Sequence, residues 1–183
     1  MDPPRHILIT GPPGCGKTTF LVRLAAQVAF LHPAGFYTEE IRISGVRQGF
    51  RLESLDGREA LLAHVRSRSE KRVGRYGVEV SAFESFLEKL DVGKTDSPLI
   101  LIDEIGKMEC FSHSFIDLIR ELLDSGRMVV ATVALKGAGF IAEVKQRKDC
   151  GLVKLSPSFR EEQGQVLARL IADRFKVSAG KTV

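Results

Sequence analysis

The residues best suited to carry out chemistry lie near the amino terminus, in the segment of residues 5–20. Gly11 and Gly16 are separated by four residues, and Lys17 and Thr18 follow directly. Glycine has no Cβ, so successive backbone N–H groups can turn inward around a phosphate. In this spacing the lysine binds the β- and γ-phosphates, and the threonine hydroxyl binds the Mg²⁺ ion between them. The segment therefore predicts a phosphate-binding P-loop.

The sequence on either side of this loop supports the prediction. The apolar run His6–Ile9 predicts a strand, and apolar residues recur at helical spacing from Lys17 to Leu31. A strand before the loop and a helix after it are the context in which the motif binds nucleotides; a glycine-rich turn without a ligand is the alternative. Kinases, hydrolases, motors and switches all use this loop, so the motif alone does not identify the reaction.

A second group of polar residues follows the aliphatic run Leu99–Ile102, where Asp103 and Glu104 occur together. An unbroken aliphatic run is typical of a strand buried on both faces, and open α/β sheets bind ligands at the carboxyl ends of their strands. Asp103 is therefore predicted to bind Mg²⁺ together with Thr18, directly or through a coordinated water. The alternative is a carboxylate that caps the next turn.

Glu104 is the candidate general base. A carboxylate beside the metal-binding Asp103 can accept a proton from a water molecule aligned on the γ-phosphate, or can orient that water. A strand placed between the P-loop strand and the Asp103 strand often ends in a polar residue that senses the γ-phosphate. Thr132, at the end of the run Met128–Val133, is the candidate, and a core β-branched residue is the alternative.

Phosphoryl transfer also requires positive charge beyond that of Lys17. Lys107 is the first candidate because it is closest in sequence to Asp103, and Arg160 is expected to reach the base or the phosphates. The full set of cationic candidates is Lys107, Lys136, Arg147, Lys148 and Arg160. Cys15 is either a small residue tolerated in a tight loop or a thiol activated by the helix that follows it.

Composition restricts the function further. The chain has 183 residues, 44% of them hydrophobic, a formal net charge of +4 and three widely spaced cysteines. These values predict one domain over residues 1–183 with reduced thiols, and the charge is too small to indicate nucleic-acid binding. The sequence shows no targeting peptide, membrane-spanning run or histidine spacing typical of a metal site. We expect a cytoplasmic monomer.

Strand patterns that alternate with helices predict an α/β fold with three layers and a mostly parallel central sheet. Residues 35–80 instead read as short strands joined by tight turns, which indicates an antiparallel insertion within the same domain. The basic residues at 66–72 are interpreted as a solvated loop or as a phosphate contact. Capping boxes are predicted at residues 81–84 and 158–161, and the tail after Val177 is expected to fray.

The motif DEIGKME at residues 103–109, together with ITGPPGCGKTT at 9–19, resembles a family of small cytosolic P-loop nucleoside-triphosphatases. The resemblance extends to GFYTEE at 35–40, to VGxYxV at 73–78 and to RKD at 147–149, and so covers nearly the whole chain. It implies the P-loop NTPase fold, with an additional strand between the P-loop strand and the Asp103 strand as in RecA-like proteins.

The resemblance also implies slow, Mg²⁺-dependent hydrolysis of ATP, GTP, CTP and UTP to the NDP and phosphate, with broad base tolerance. Glu104, Lys17 and Lys107 would be the catalytic residues. The residues expected to bind the nucleotide are Gly11, Pro12, Pro13, Gly14, Cys15, Gly16, Lys17, Thr18, Thr19, Asp103, Glu104, Ile105, Gly106, Lys107, Thr132 and Arg160.

One departure from the family pattern affects base recognition. The family has a Glu-Asn-Arg-like stretch before the last helix, and this chain has Ser158-Phe159-Arg160. Two other functions remain open from the residues alone. One is a nucleotide or small-molecule kinase in which Asp103 or Glu104 activates an acceptor hydroxyl, and the other is a nucleotide- or RNA-binding switch.

Overall fold

The computed structural model describes residues 4–156, 158 and 160–179. Within these residues nine strands form one sheet, and five α-helices are present. The strands are β1 His6–Gly11, β2 Ala34–Ile43, β3 Val46–Ser54, β4 Glu59–His64, β5 Arg72–Val73, β6 Tyr76–Val78, β7 Leu99–Ile105, β8 Met128–Ala134 and β9 Cys150–Lys154. The helices are α1 Lys17–Gln27, α2 Val80–Leu90, α3 His113–Asp124, α4 Phe140–Lys145 and α5 Arg160–Ala179.

The strand order places the two predicted motifs at one edge of the sheet. The order is β5-β6-β4-β3-β2-β7-β8-β1-β9. The pairs β2–β7, β7–β8, β8–β1 and β1–β9 are all parallel. One strand, β8, thus separates the P-loop strand β1 from the Asp103 strand β7, which confirms the predicted RecA-like order.

The predicted insertion extends this sheet. Strands β2 to β6 pair in antiparallel fashion. The first of them, β2, also pairs in parallel with β7 as far as Phe36, which lies opposite Ile102. Because β2 continues past that point, Thr38 reaches the carboxyl end of β7, where Asp103 lies.

The aliphatic runs reflect burial on both faces of the sheet. Along β7, Leu99 and Leu101 pack in the core that contains the buried residues of α1 and α5. Ile100 and Ile102 pack in the opposite core with residues of α2, α3 and α4. Successive strand residues point to opposite faces, so both parities must be apolar. The result is a sheet between two helical layers.

Several element ends differ from the predicted ones. Helix α1 ends at Gln27, and a separate 3₁₀ turn follows at Ala29–Leu31. The first predicted capping box is wrong, because Glu79 is the N-cap of α2 and Glu84 instead accepts a hydrogen bond from Ser112. The second predicted capping box includes Phe159, and the predicted frayed tail includes residues 180–183. These residues lie outside the part of the chain that the structure describes. None of the helices in the described part of the chain has the length and apolar character needed to cross a membrane.

Candidate active site at the carboxyl edge of the sheet

The P-loop joins β1 to α1 and depends on glycine backbone angles. Gly14 has φ 74° and Gly16 has φ 90°, a region in which a Cβ is strained. Gly16 is also the N-cap of α1, and it supplies no side-chain hydrogen bond to the helix. The first N–H groups of α1 and the positive end of its dipole are therefore suited to an anion.

The Asp103 carboxylate is the centre of the second motif. It is buried, and its Oδ2 atom accepts a hydrogen bond of 2.6 Å from the Thr18 hydroxyl. The Thr132 hydroxyl donates to Oδ1, and the Thr38 N–H donates to Oδ2 over 3.3 Å. Burial raises the pKa of Asp103, while the hydrogen bonds from these three residues and the charge of Lys17 act in the opposite direction.

Strand register explains why these residues meet. In β8, Ala131 lies opposite Ile102 of β7, and Thr132 lies opposite Ile9 of β1. Thr132 is therefore at the level of the last β1 residues before the P-loop and next to the end of the Leu99–Ile102 run. The peptide bond between Asp103 and Glu104 is cis.

Glu104 and Lys17 form the charged pair of the site. Lys17 Nζ lies 3.2 Å from Glu104 Oε2, and the Lys17 side chain is 10% exposed. Burial raises the pKa of Glu104, and the neighbouring Lys17 ammonium is the largest influence that lowers it. A carboxylate in this setting can act as a base once the lysine binds elsewhere.

Comparison with known proteins identifies the family. A family model described as NTPase matches residues 6–167. A nucleoside-triphosphatase THEP1 from Thermotoga sp. (strain RQ2) is 39% identical over 155 residues, which cover 84% of this chain and 88% of the relative. The chain belongs to the NTPase family. The human cancer-related nucleoside-triphosphatase is 35% identical over 184 aligned positions. The match covers 91% of this chain and 95% of the human protein.

A solved structure extends this NTPase-family relationship to the fold. The crystal structure of THEP1 from the hyperthermophile Aquifex aeolicus superposes with a TM-score of 0.80 at 35% sequence identity. The superposition covers 90% of this chain and 98% of that chain. The NTPase-family relationship therefore extends to the fold of most of the chain.

Thr38 is a site residue of this NTPase-family chain that the sequence analysis did not single out. Besides its backbone contact with the Asp103 carboxylate, its hydroxyl donates a 2.7 Å hydrogen bond to the Asp103 carbonyl. In the sequence, Thr38 stands out only through its place in the GFYTEE segment, which indicates the family resemblance but predicts no contact with Asp103. The contact exists because β2 pairs with β7.

The cationic candidates are divided by the fold. Lys107 and Lys136 are exposed, and within the described residues neither makes an ion pair or hydrogen bond. Arg147 is not at the site: its guanidinium binds Asp149 at 2.7 Å and Asp124 at 2.8 Å. Asp149 lies beside His6, at the start of β1, whereas the P-loop begins at Gly11 at the other end of that strand. Lys148 precedes Asp149 in the sequence.

Arg160 does lie at the P-loop. A Cβ added at Gly16 would collide with the Arg160 guanidinium, so this arginine covers the amino-terminal end of α1. Arg160 therefore lies at the loop that is predicted to bind the phosphates. The approach also gives a second reason for glycine at position 16, besides its positive φ.

The other predicted binding residues differ in their exposure. Pro12, Pro13 and Thr19 are exposed around the loop. Ile105 is fully buried in the hydrophobic core, so its side chain is a packing residue and does not face a nucleotide. Cys15 is buried, and a Cβ at Gly11 would lie 2.7 Å from its Sγ atom, which favours the interpretation as a small residue in a tight loop.

Glu109, the last residue of the DEIGKME motif, is a buried carboxyl behind Glu104. The pKa of Glu109 is raised to about 8, mainly by burial and in addition by the nearby carboxylates of Glu104 and Asp103. At Gly106 an added Cβ would lie 2.8 Å from Glu109 Oε2 and 3.1 Å from Glu104 Oε1. Gly106 is therefore the residue that allows both carboxyl groups to approach the turn after β7.

The basic residues at 66–72 have structural contacts. The Arg72 guanidinium donates to the carbonyl oxygens of Ser67, Ser69 and Arg75, and Lys71 lies over the Phe111 ring at 5.9 Å. In the described part of the chain these side chains have no hydrogen bond or ion pair with the P-loop or Asp103. The interpretation of this segment as a loop without a phosphate contact is the better one.

Proposed function

We propose that this chain is a Mg²⁺-dependent nucleoside-triphosphatase that hydrolyses ATP, GTP, CTP and UTP to the NDP and inorganic phosphate. The observation that carries the proposal is the convergence of Thr18 and Thr132 on Asp103, beside the pair of Lys17 and Glu104. Membership of the NTPase family supports the class of reaction, because relatives with 35–39% identity are named nucleoside-triphosphatases.

The residues present fit a Mg²⁺ ion. The Thr18 hydroxyl and the Asp103 carboxylate are oxygen ligands whose facing atoms lie 2.6 Å apart, and Mg²⁺ prefers oxygen ligands. Burial makes the Asp103 charge unfavourable, which a bound cation would offset. Thr18 and Asp103 would hold the ion directly or through its waters. When bound, Mg²⁺ supplies positive charge to the β- and γ-phosphate oxygens.

In this proposal Lys17 exchanges partners when nucleotide binds. Its ammonium leaves Glu104 and binds the β- and γ-phosphates, while the backbone of the P-loop and the Arg160 guanidinium bind the remaining oxygens. Glu104 then loses the largest influence that lowers its pKa. The freed carboxylate accepts a proton from the water aligned on the γ-phosphate. Thr132 acts through Asp103, because its hydroxyl donates a hydrogen bond to that carboxylate.

Broad base tolerance is supported by the surface next to the P-loop. A groove of about 520 Å³ begins one helical turn after Gly16. It is lined by the apolar side chains of Phe20, Val153, Val166, Leu167 and Leu170. The Gln163 amide, also in its lining, is already bonded to the backbone of Ser156 and Lys154. The other polar lining residues are Ser156 and Glu162, so a base bound there would make mainly apolar contacts, which distinguish poorly between bases.

The decisive experiment measures free phosphate and NDP from each of the four NTPs, with Mg²⁺ and with a chelator, for the wild-type protein, Glu104→Gln and the control Glu88→Gln. Glu88 is exposed on α2. We expect phosphate from all four NTPs and loss of activity with the chelator. Glu104→Gln should lower turnover about 10²- to 10⁴-fold without weakening nucleotide binding.

Three results would contradict parts of this proposal. Equal losses of binding and turnover in Glu104→Gln would assign that residue to the metal site. Tight nucleotide binding without phosphate release by the wild-type protein would favour the kinase or the switch. Phosphate release from one NTP alone would contradict broad base tolerance.

A further inference from the structure

Lys145 brings a further cation, besides Lys17 and Arg160, to the carboxyl edge of the sheet. It is the last residue of α4, and its Nζ atom donates hydrogen bonds to the carbonyl oxygens of Ala134 and Leu135, the latter over 3.0 Å. Ala134 lies opposite Gly11 in the neighbouring strand β1. Val133, the residue before Ala134, lies opposite Ile105, the residue after Glu104. The ammonium group is therefore anchored at the carboxyl edge of the sheet, between the start of the P-loop and the strand end that carries Glu104.

This ammonium interacts electrostatically with Glu104. The positive charge of Lys145 lowers the pKa of Glu104. Burial lowers the pKa of Lys145, and the Glu104 carboxylate partly opposes that effect. Glu104 thus lies in the field of two cations, Lys17 and Lys145. The first is in direct contact with the carboxylate, and the second is held by backbone carbonyls.

The two lysines differ in what nucleotide binding does to them. Lys17 belongs to the P-loop, and its ammonium is required by the phosphates. Lys145 is bound to the end of β8, and an ammonium has three donors, of which two are engaged with carbonyl oxygens. When Lys17 moves to the phosphates, Lys145 stays bound to the end of β8, as a cation that interacts electrostatically with Glu104 and has one donor free.

We propose that Lys145 is a positioning residue for Glu104, whose ammonium keeps the carboxylate in place to activate water after Lys17 has moved to the phosphates. The inference rests on the proposed hydrolytic function and adds to it a residue that acts through Glu104.

The test compares steady-state hydrolysis of ATP by Lys145→Met, Lys145→Arg and the control Lys148→Met. Lys148 is exposed and close in sequence, but it adjoins Asp149 at the other end of the sheet. Lys145→Met should lower kcat about ten- to a hundredfold, the usual effect of removing an outer partner of a site. KM for ATP should change by less than about twofold, Lys145→Arg should recover most of kcat, and Lys148→Met should resemble the wild type.

A double variant separates this role from a structural one. If Lys145 acts through Glu104, then Lys145→Met should have no further effect on kcat in the Glu104→Gln background. A normal kcat in folded Lys145→Met, or the same fold-loss in both backgrounds, would overturn the inference. If Lys145→Met does not fold, Lys145→Gln, which keeps amide donors without the charge, replaces it. Equal kcat values for Lys145→Gln and Lys145→Arg would then overturn it.

The proposed function and this inference fail in different ways. Absence of phosphate release by the wild-type protein, or full activity in Glu104→Gln, would remove the hydrolytic site itself. An active wild-type protein, an inactive Glu104→Gln variant and a fully active Lys145→Met variant would remove only the role of Lys145.

Discussion

Replacing Thr132 with valine measures how strongly the buried Asp103 carboxylate depends on its hydrogen bonds. Thr132 is fully buried, and among the described residues its hydroxyl is the one donor to Oδ1 of Asp103. Valine keeps the shape and removes that donor. A hydrogen bond to a charged group contributes about 1.5–3 kcal/mol, so the free energy of unfolding at pH 7 should fall by that amount. At about 2–4 °C per kcal/mol for a chain of this size, Tm should fall by about 3–12 °C.

The sign of the pH dependence follows from the Asp103 environment. Burial raises the pKa of Asp103, and the hydrogen bond from Thr132 is the largest influence that lowers it. Removing the hydroxyl therefore raises the pKa of the folded state further above that of the unfolded chain. A folded protein with such a raised pKa loses stability as the pH rises from the unfolded-state pKa to the folded-state pKa of that group. The destabilisation by Thr132→Val should thus be largest near neutral pH and should shrink as the pH falls and Asp103 becomes protonated.

Thermal and urea unfolding without Mg²⁺ or nucleotide would test this prediction, and Thr10→Val is the matched control. Thr10 is also a buried threonine of the central sheet, but its hydroxyl donates over 3.1 Å to a neutral group, the Val133 carbonyl. Such a bond contributes about 0.5–1.5 kcal/mol. Thr132→Ser should recover most of the lost stability. The reasoning would be refuted if Thr132→Val cost no more stability than Thr10→Val.

Two further predictions concern charged residues. Burial raises the pKa of Glu109 to about 8, so the folded state holds that proton more tightly than the unfolded chain does. The free energy of unfolding should fall as the pH rises toward 8, and Glu109→Gln should remove most of this fall in urea titrations without Mg²⁺; an unchanged pH dependence would contradict the burial argument. Arg147→Met removes the partly exposed ion pairs with Asp124 and Asp149, and the free energy of unfolding should fall by about 1 kcal/mol or less for each pair. Its kcat for phosphate release should equal that of the wild type, and a folded variant with impaired turnover would return Arg147 to the site.

The sequence was sufficient where the chemistry is local. The P-loop ligands lie within eight consecutive residues, from Gly11 to Thr18, so their spacing alone specifies the binding loop. The Leu99–Ile102 run records burial on both faces of the sheet, and Asp103 follows it directly. The strand order required more, namely the alternation of strands and helices together with the family resemblance.

Helix ends were less predictable because several patterns compete for the same residues. The Ser81–Glu84 pattern satisfied the capping rule, yet α2 begins before Ser81, and Glu84 accepts a hydrogen bond from Ser112, the N-cap of the next helix. Similarly, Arg147 and Lys148 are as basic as Lys145 and lie within three residues of it. Charge alone could not tell which of them faces the site.

The amino-acid sequence by itself thus determined the class of fold, and it predicted a phosphate-binding loop and a metal-binding carboxylate at the end of β7. Only the tertiary structure decided that Thr38 and Thr132 surround Asp103, that Arg160 covers Gly16 and that Lys145 lies in the field of Glu104. The physical reason is that periodicity reports which face of an element is buried. The partners of a polar atom are set by strand register and crossover, which bring together residues such as Thr38 and Asp103 that are 65 positions apart.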